Sequence, residues 1–311
     1  MKTVRQNEQL PKFTKTVITV GNFDGIHRGH RHLFSKLIER GKALGVPTVV
    51  VTFEPHTKLY FDPDHTAPLL STFDEKSLLL KELGVDYLVA LKFDREIAEM
   101  GADEFIEKIM IDKLKAVECV MGKNHHFGAK KSGSHKFQHN KSGKNHFNVV
   151  SVDLHGEDSK IASSTLVREL ITNDRIDEAV ELLGRPYPII AERRGGVKKG
   201  SEMGYPTFNF SCPPSQKFIP RPGVYAAEVE YGGRKLFGAL YFGNCPTFSN
   251  RDFHFEFHSL EQIDKDPDLG ESVTLWVSSF IRHDETFDCE EKLIDQIRKD
   301  VIEIKEYFTK E

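Results

Sequence analysis

Two imidazoles three residues apart, His27 and His30, close the string VITVGNFDGIHRGH, in which Gly21, Gly25 and Gly29 are interleaved with Asn22, Phe23 and Asp24. Imidazole is compact, only partly charged near neutral pH and able to donate from its ring nitrogens, which suits it to a phosphoryl oxygen. Glycine lets the main chain approach a ligand closely. Val17 to Val20 before the string, and Leu33, Phe34, Leu37 and Ile38 at helical spacing after it, predict a strand, a glycine turn and an opening helix. The histidines then fall at a helix N-terminus, where unpaired N–H groups and the helix dipole attract an anion. Phosphate is the natural occupant, although an isolated HxGH also reads as a tight turn with solvated histidines.

Further groups along the chain could serve similar chemistry. TFEPH, 52–56, ends a strand pattern at Pro55, which either exposes His56 as a site residue or is simply a strand ending in a proline turn. Residues 123–146 hold six lysines and five histidines without one acid, a long loop that either attracts phosphates or is simply solvated. In IASSTLVRELIT, Ser163, Ser164 and Thr165 precede a helical pattern with Arg168 one turn in, which is a phosphate clamp or a plain N-cap with a surface arginine. KKGSEMGYPTFNF carries Gly200 and Gly204 in a basic loop, then Thr207 and Asn209 on one face of an extended segment, which is either a pair of neutral oxygen donors suited to a magnesium ion bridging phosphates or simply a loop entering a strand. Glu256, in HFEFH, is either a partly buried general base or the exposed member of an edge strand.

The elements that must position these groups divide in two. From 16 to about 180, apolar strand runs (VITV, TVVVTF, DYLVAL, AVECVMG, NVVSVDL) alternate with helical ones, predicting a doubly wound parallel sheet with ligands beyond the C-terminal strand ends. IDEAVELLG closes this half, with Gly184 as its cap and prolines following. The expected domains are therefore 1–184 and 185–311. The second shows near-alternating residues and a GG turn, predicting a small antiparallel barrel or sandwich. Leu293, Ile297, Val301 and Ile304 lie on one face of a final helix that packs against it.

Composition narrows the function class. With 43 basic and 47 acidic residues the net charge is -4, so there is no global nucleic-acid or anionic-membrane footprint. Cys119, Cys212, Cys245 and Cys289 form no CxxC pair, which argues against a zinc cage or a disulfide framework. No apolar run approaches the ~20 residues of a membrane span, and the first residues lack a signal-like apolar core. A soluble, cytoplasmic protein is expected.

Taken in order, GNFDGIHRGH, TFEPH, GKNHHFG, SSTLVR, GRPY, GYPTFN, PGVYA, FEFH and FIRHDETFDCEEKLIDQIRKD resemble the signatures of the bacterial bifunctional riboflavin kinase/FAD synthetase family over nearly the whole chain. The resemblance implies that the C-terminal barrel phosphorylates riboflavin from ATP, and that the N-terminal module adenylylates FMN to FAD. It implies ATP contacts from Gly21, Asn22, Phe23, Asp24, Gly25, Gly29, Ser163, Ser164, Thr165, Arg168, Gly200 and Gly204, with His27 and His30 stabilising charge. Asn124, Phe127, Gly128 and His56 would lie near the flavin. Thr207 and Asn209 would hold Mg2+, and Glu256 would be the kinase base. The expected partners are riboflavin, FMN and ATP, with no nucleic acid or membrane. Departures include Cys245, Ser201 and DLGES in the kinase half, and His125, His126 and Leu166 in the other. They keep open a chain that makes FAD but phosphorylates riboflavin weakly; a third reading is a non-enzymatic nucleotide- or nucleic-acid-binding protein.

Overall fold

The protein is represented by a computed structural model that describes residues 1–6, 8–62, 68–123, 126–127, 133–134, 147–154, 162–194, 207–231, 234–243, 253–261 and 272–310. The chain forms two compact units, Met1–Ser163 and Ser164–Glu311.

In the first unit, strands β1 (Lys2–Val4), β2 (Thr16–Val20), β3 (Thr48–Glu54), β4 (Tyr87–Lys92), β5 (Ala116–Gly122) and β8 (Asn148–Val152) form one six-stranded sheet. Its order is β1-β4-β3-β2-β5-β8, and every neighbouring pair is parallel. All five residues of β2 are buried, as expected of a central strand covered on both faces. Helices α1 (Arg28–Leu44), α2 (Thr57–Phe61), α3 (Phe73–Leu83), α4 (Arg95–Glu99) and α5 (Ala102–Glu104) follow the strands, and a π-helix, Phe105–Lys113, follows α5. One sheet face packs Ile18, Val49, Val89 and Met121 against Phe105, Ile109 and Met110 of that π-helix. Leu33, Phe34 and Leu37 are the buried stripe of α1, which ends at Gly45 with φ 65°. The two-residue strands β6 (His126–Phe127) and β7 (Gly133–Ser134) pair antiparallel apart from the sheet.

From β2 the chain winds outward through β3 and β4, then returns to place β5 on the other side of β2. That reversal is a topological switch point, where open parallel sheets leave a crevice at the C-terminal strand ends. The turn from β2 into α1 lies there. Sequence patterning did not reveal β1, because three residues at an edge carry too little periodicity.

In the second unit, α6 (Ser164–Thr172) and α7 (Ile176–Leu183) precede a closed barrel of β9 (Tyr187–Arg194), β10 (Thr207–Phe210), β11 (Gly223–Tyr231), β12 (Arg234–Gly243), β13 (His254–Ser259) and β14 (Ser272–His283). Its order, β10-β13-β12-β11-β14-β9, is antiparallel throughout. Helix α8 (Glu290–Lys310) packs Val301 and Ile304 onto it, and Asp300 pairs with Arg282 of β14 at 2.9 Å. Gly184 caps α7 with φ 70°, and the compact units divide at Ser163, ahead of the expected boundary. Ile176, Ala179, Leu182 and Leu183 are buried, α7 lies against β9 and β14, and the Ser279 hydroxyl donates to Asp177 at 3.0 Å. The amphipathic face of α7 is thus spent on the barrel.

Candidate active sites

At the switch point, His27 is the N-cap of α1, and the helix has neither a side-chain cap nor an acid in its first turn. No carboxylate of its own first turn offsets its N-terminal field. The His27 and His30 rings stack with centroids 3.8 Å apart and planes 21° apart, and Phe23 sets its edge against His30 at 5.4 Å. His27 is buried and His30 half-buried. Phe23, Gly25 and Ile26 have φ 48°, 82° and 41°, a left-handed run that non-glycine residues adopt at a cost of about 1 kcal/mol each. A Cβ on Gly21 would lie 2.8 Å from the Phe23 ring, so glycine is what allows that ring to fold under the histidines.

The loop is braced from three neighbours. Buried Asp24 accepts the Ser71 N–H at 3.1 Å, and the Gly25 N–H donates to the Ser71 hydroxyl at 3.1 Å. The Asn22 amide donates to Thr57 at 2.7 Å. Lys76, buried on α3, donates to the Asn22 carbonyl at 2.6 Å and meets the Thr52 hydroxyl at 3.1 Å. Sequence reading gave Asn22 and Asp24 no separate tasks and overlooked Lys76, since a single lysine within an amphipathic helix reads as surface.

His56 is buried at 6 % exposure, contrary to its expected exposure at the strand end. Its Nδ1 accepts the Lys58 N–H at 3.1 Å, so the imidazole caps α2. What faces solvent is the helix it caps: Phe61 is 68 % exposed, and Tyr60 and Phe61 pack edge-on against Phe93 at 5.2 and 5.7 Å. This aromatic ledge was not anticipated. Exposed neighbouring aromatics, FEPHTKLYF, were its only sequence signal.

In the second unit, β10 and β13 pair so that Asn209 lies directly opposite Glu256 and Thr207 opposite His258. Alternation buries Phe208, Phe210, Phe255 and Phe257 and leaves all four polar residues half-buried on the other face. The expected trio is thereby brought together, and His258 joins it. Thr207 Oγ1 and His258 Nδ1 are 2.9 Å apart, and His258 Nε2 lies 3.7 Å from the Glu256 carboxylate. Burial pushes the His258 imidazole below its ordinary range, outweighing the opposing pull of Glu256. Oxygen donors from Thr207, Asn209 and Glu256 suit a hard divalent cation. Among the described residues no group of three or more His, Cys, Asp or Glu could hold a metal ion.

Ser163 ends the first unit; Ser164 and Thr165 open α6 in the second, where Arg168 donates to the Ser164 carbonyl at 3.2 Å. Phe127 contributes main chain to β6. Asn124, Gly128, Gly200, Ser201, Gly204, Cys245, most of the basic loop and most of DLGES lie outside the described residues. Of the cysteines described, Cys119, Cys212 and Cys289 are free thiols, and burial pushes Cys119 up to about 12. No helix among the described residues is long and apolar enough to cross a membrane.

Comparison with known proteins also divides the chain in two. Residues 10–166 match the family model for FAD synthetase, and residues 183–308 match that for riboflavin kinase. The bifunctional riboflavin kinase/FMN adenylyltransferase of Escherichia coli (strain K12) is 33% identical, over 99% of this chain and 98% of its own. The protein of the same name from Pseudomonas fluorescens is 33% identical over 84% of each chain. A solved structure of a protein from Streptococcus pneumoniae called macrolide-efflux protein superposes with a TM-score of 0.78 at 28% identity, covering 96% of this chain and 97% of that one.

Proposed function

We propose a division of labour that proceeds from one premise: the chain belongs to the family of bifunctional riboflavin kinase/FMN adenylyltransferases and is a transferase with both activities. Residues 185–311 phosphorylate riboflavin, and residues 1–184 convert the resulting FMN to FAD. ATP is the co-substrate of both steps.

The observation that carries the adenylyl assignment is the stacked His27–His30 pair on an uncapped helix N-terminus at the sheet's switch point. FMN's phosphate is already an anionic nucleophile, so no strong base is needed. Its oxygen attacks the α-phosphorus of ATP, the bond to the bridging oxygen breaks, and pyrophosphate leaves. Catalysis then consists of alignment and of donors aimed at developing charge. His27, His30 and the first N–H groups of α1 are suited to that charge, and Gly21 to Gly29 give the backbone room. Ser163, Ser164, Thr165 and Arg168 supply a second set of phosphate donors. Asp24 and Asn22 act as braces of the loop. The solvent-facing Tyr60 and Phe61 offer a stacking surface to an isoalloxazine ring, and His56 serves it by holding α2.

For the kinase step, Glu256 accepts the proton of the ribityl hydroxyl as that oxygen attacks the γ-phosphorus and ADP departs. Because His258 stays below its ordinary range, Glu256 faces a neutral ring. Thr207 and Asn209, with the carboxylate opposite, fit a magnesium ion, which when bound neutralises phosphate charge. The work is assigned to the cytoplasm, where ATP and reduced thiols are found. Two labelled forms of ATP test the division: label in the γ-phosphate should enter FMN, and label in the α-phosphate should enter FAD. FAD carrying no α-label would overturn it.

A further inference from the structure

We infer that Lys76 is a positioning residue for adenylyl transfer, holding the phosphate loop through the Asn22 carbonyl with a buried charge that the nucleotide's phosphates complete. The inference rests on the reading of GNFDGIHRGH as the nucleotide site.

Lys76 is 4 % exposed, and its ammonium is bonded to two neutral oxygens, the Asn22 carbonyl at 2.6 Å and Thr52 Oγ1 at 3.1 Å. Among the described residues no carboxylate lies within ion-pair distance of it. A cation in this position is unusual, because burial without an adjacent anion penalises charge. Sequence position explains how it gets there. The Thr72–Glu75 capping box fixes the first turn of α3, which turns Lys76 inward along with Leu79 and Leu80.

The ionisable groups that act on it are Asp24, from the loop itself, and Glu54, from the end of β3. Asp24 is engaged with the Ser71 N–H, and Glu54 is paired with Arg5 at 3.1 Å. Both attract the ammonium from a distance, yet burial dominates and lowers it to about 8. The missing counter-charge lies on the side of the loop that receives phosphate. A polyanion bound above Asn22 would restore the proton, and the protonated amine would in turn fix the Asn22 carbonyl. Protonation of Lys76 and phosphate binding are then linked, each favouring the other.

The test is calorimetry of ATP with magnesium, in buffers of different ionisation enthalpy at pH 8.5, on the whole protein. If the phosphates lift the amine by one unit, binding should take up about 0.5 proton. At this pH His258 in the kinase half does not contribute, since burial holds it below its ordinary range. Lys76→Gln, which keeps a donor and loses the charge, should abolish the uptake and raise the ATP KM of FAD formation about tenfold or more, with riboflavin phosphorylation unchanged. If Lys76→Gln does not fold, the wild-type titration decides alone: no uptake overturns the inference. Equal uptake in wild type and Lys76→Gln overturns it as well. His30→Ala separates that failure from failure of the site reading: undiminished FAD formation from supplied FMN in His30→Ala would remove the nucleotide site itself.

Discussion

Glu256→Gln isolates the proposed base from the barrel that carries it. Glu256 is half-buried in the middle of β13, between Asn209 of β10 and Tyr241 of β12, and pairs with both through its main chain. Gln occupies the same volume and leaves those hydrogen bonds in place, so the cost in stability should stay within about 0.5 kcal/mol. The loss in rate should be much larger. General-base catalysis contributes about two to four decades, or roughly 3 to 6 kcal/mol of barrier at about 1.4 kcal/mol per decade. His258 cannot substitute at full strength, because burial holds it below the ordinary imidazole range and its Nδ1 faces Thr207. Separating riboflavin, FMN and FAD after incubation with ATP and magnesium should show FMN formation down at least about a hundredfold. Adenylylation of supplied FMN should persist at the wild-type rate. FMN formation within tenfold of wild type in a folded variant would remove Glu256 from the base role.

Other residues carry further predictions. His30→Ala should cut FAD formation from supplied FMN by about two to three decades, the usual loss of a transition-state charge stabiliser, and leave FMN formation intact. Equal losses of both activities would contradict that separation. Lys76→Met should change how stability depends on pH. Its folded value, about 8, lies below its unfolded 10.5, so below pH 8 the folded state bears about 3 kcal/mol of burial cost, which fades as pH rises towards 10.5. Urea unfolding at pH 7.5, 9 and 10.5 should therefore show wild type gaining on Lys76→Met as pH rises; parallel curves would refute this. Arg40→Ala should lower the melting temperature of the first unit, because it removes the partner bonded to Glu118 at 2.6 and 2.8 Å, a carboxylate only 3% exposed. A melting temperature unchanged from wild type would show that the pair contributes nothing.

What was legible in the sequence was whatever depends on local period and spacing. The alternation of strands and helices, the placement of His27 and His30 at a helix start and the shared face of Thr207 and Asn209 all follow from backbone repeats. The partnership of Asn209 with Glu256 was not legible, because a register between segments 47 residues apart is set by barrel closure. His258 was hidden for the same reason. His56 went wrong because a proline after a strand suggests exposure, whereas the chain turns back and uses the imidazole as a cap. Lys76 looked like surface because its inward direction depends on the capping box and on a carbonyl 54 residues away. The place of the helices before Gly184 was not legible either, because an amphipathic pattern does not say which core a helix serves.

The central claim is that one chain performs both transfers in succession. Its most direct test is a time course of the purified protein with riboflavin, ATP and magnesium, and no added FMN. FMN should appear first and FAD after a lag, with FAD accumulating as FMN is consumed. FAD formed from supplied FMN, with neither product formed from riboflavin, would contradict the claim and leave an adenylyltransferase alone.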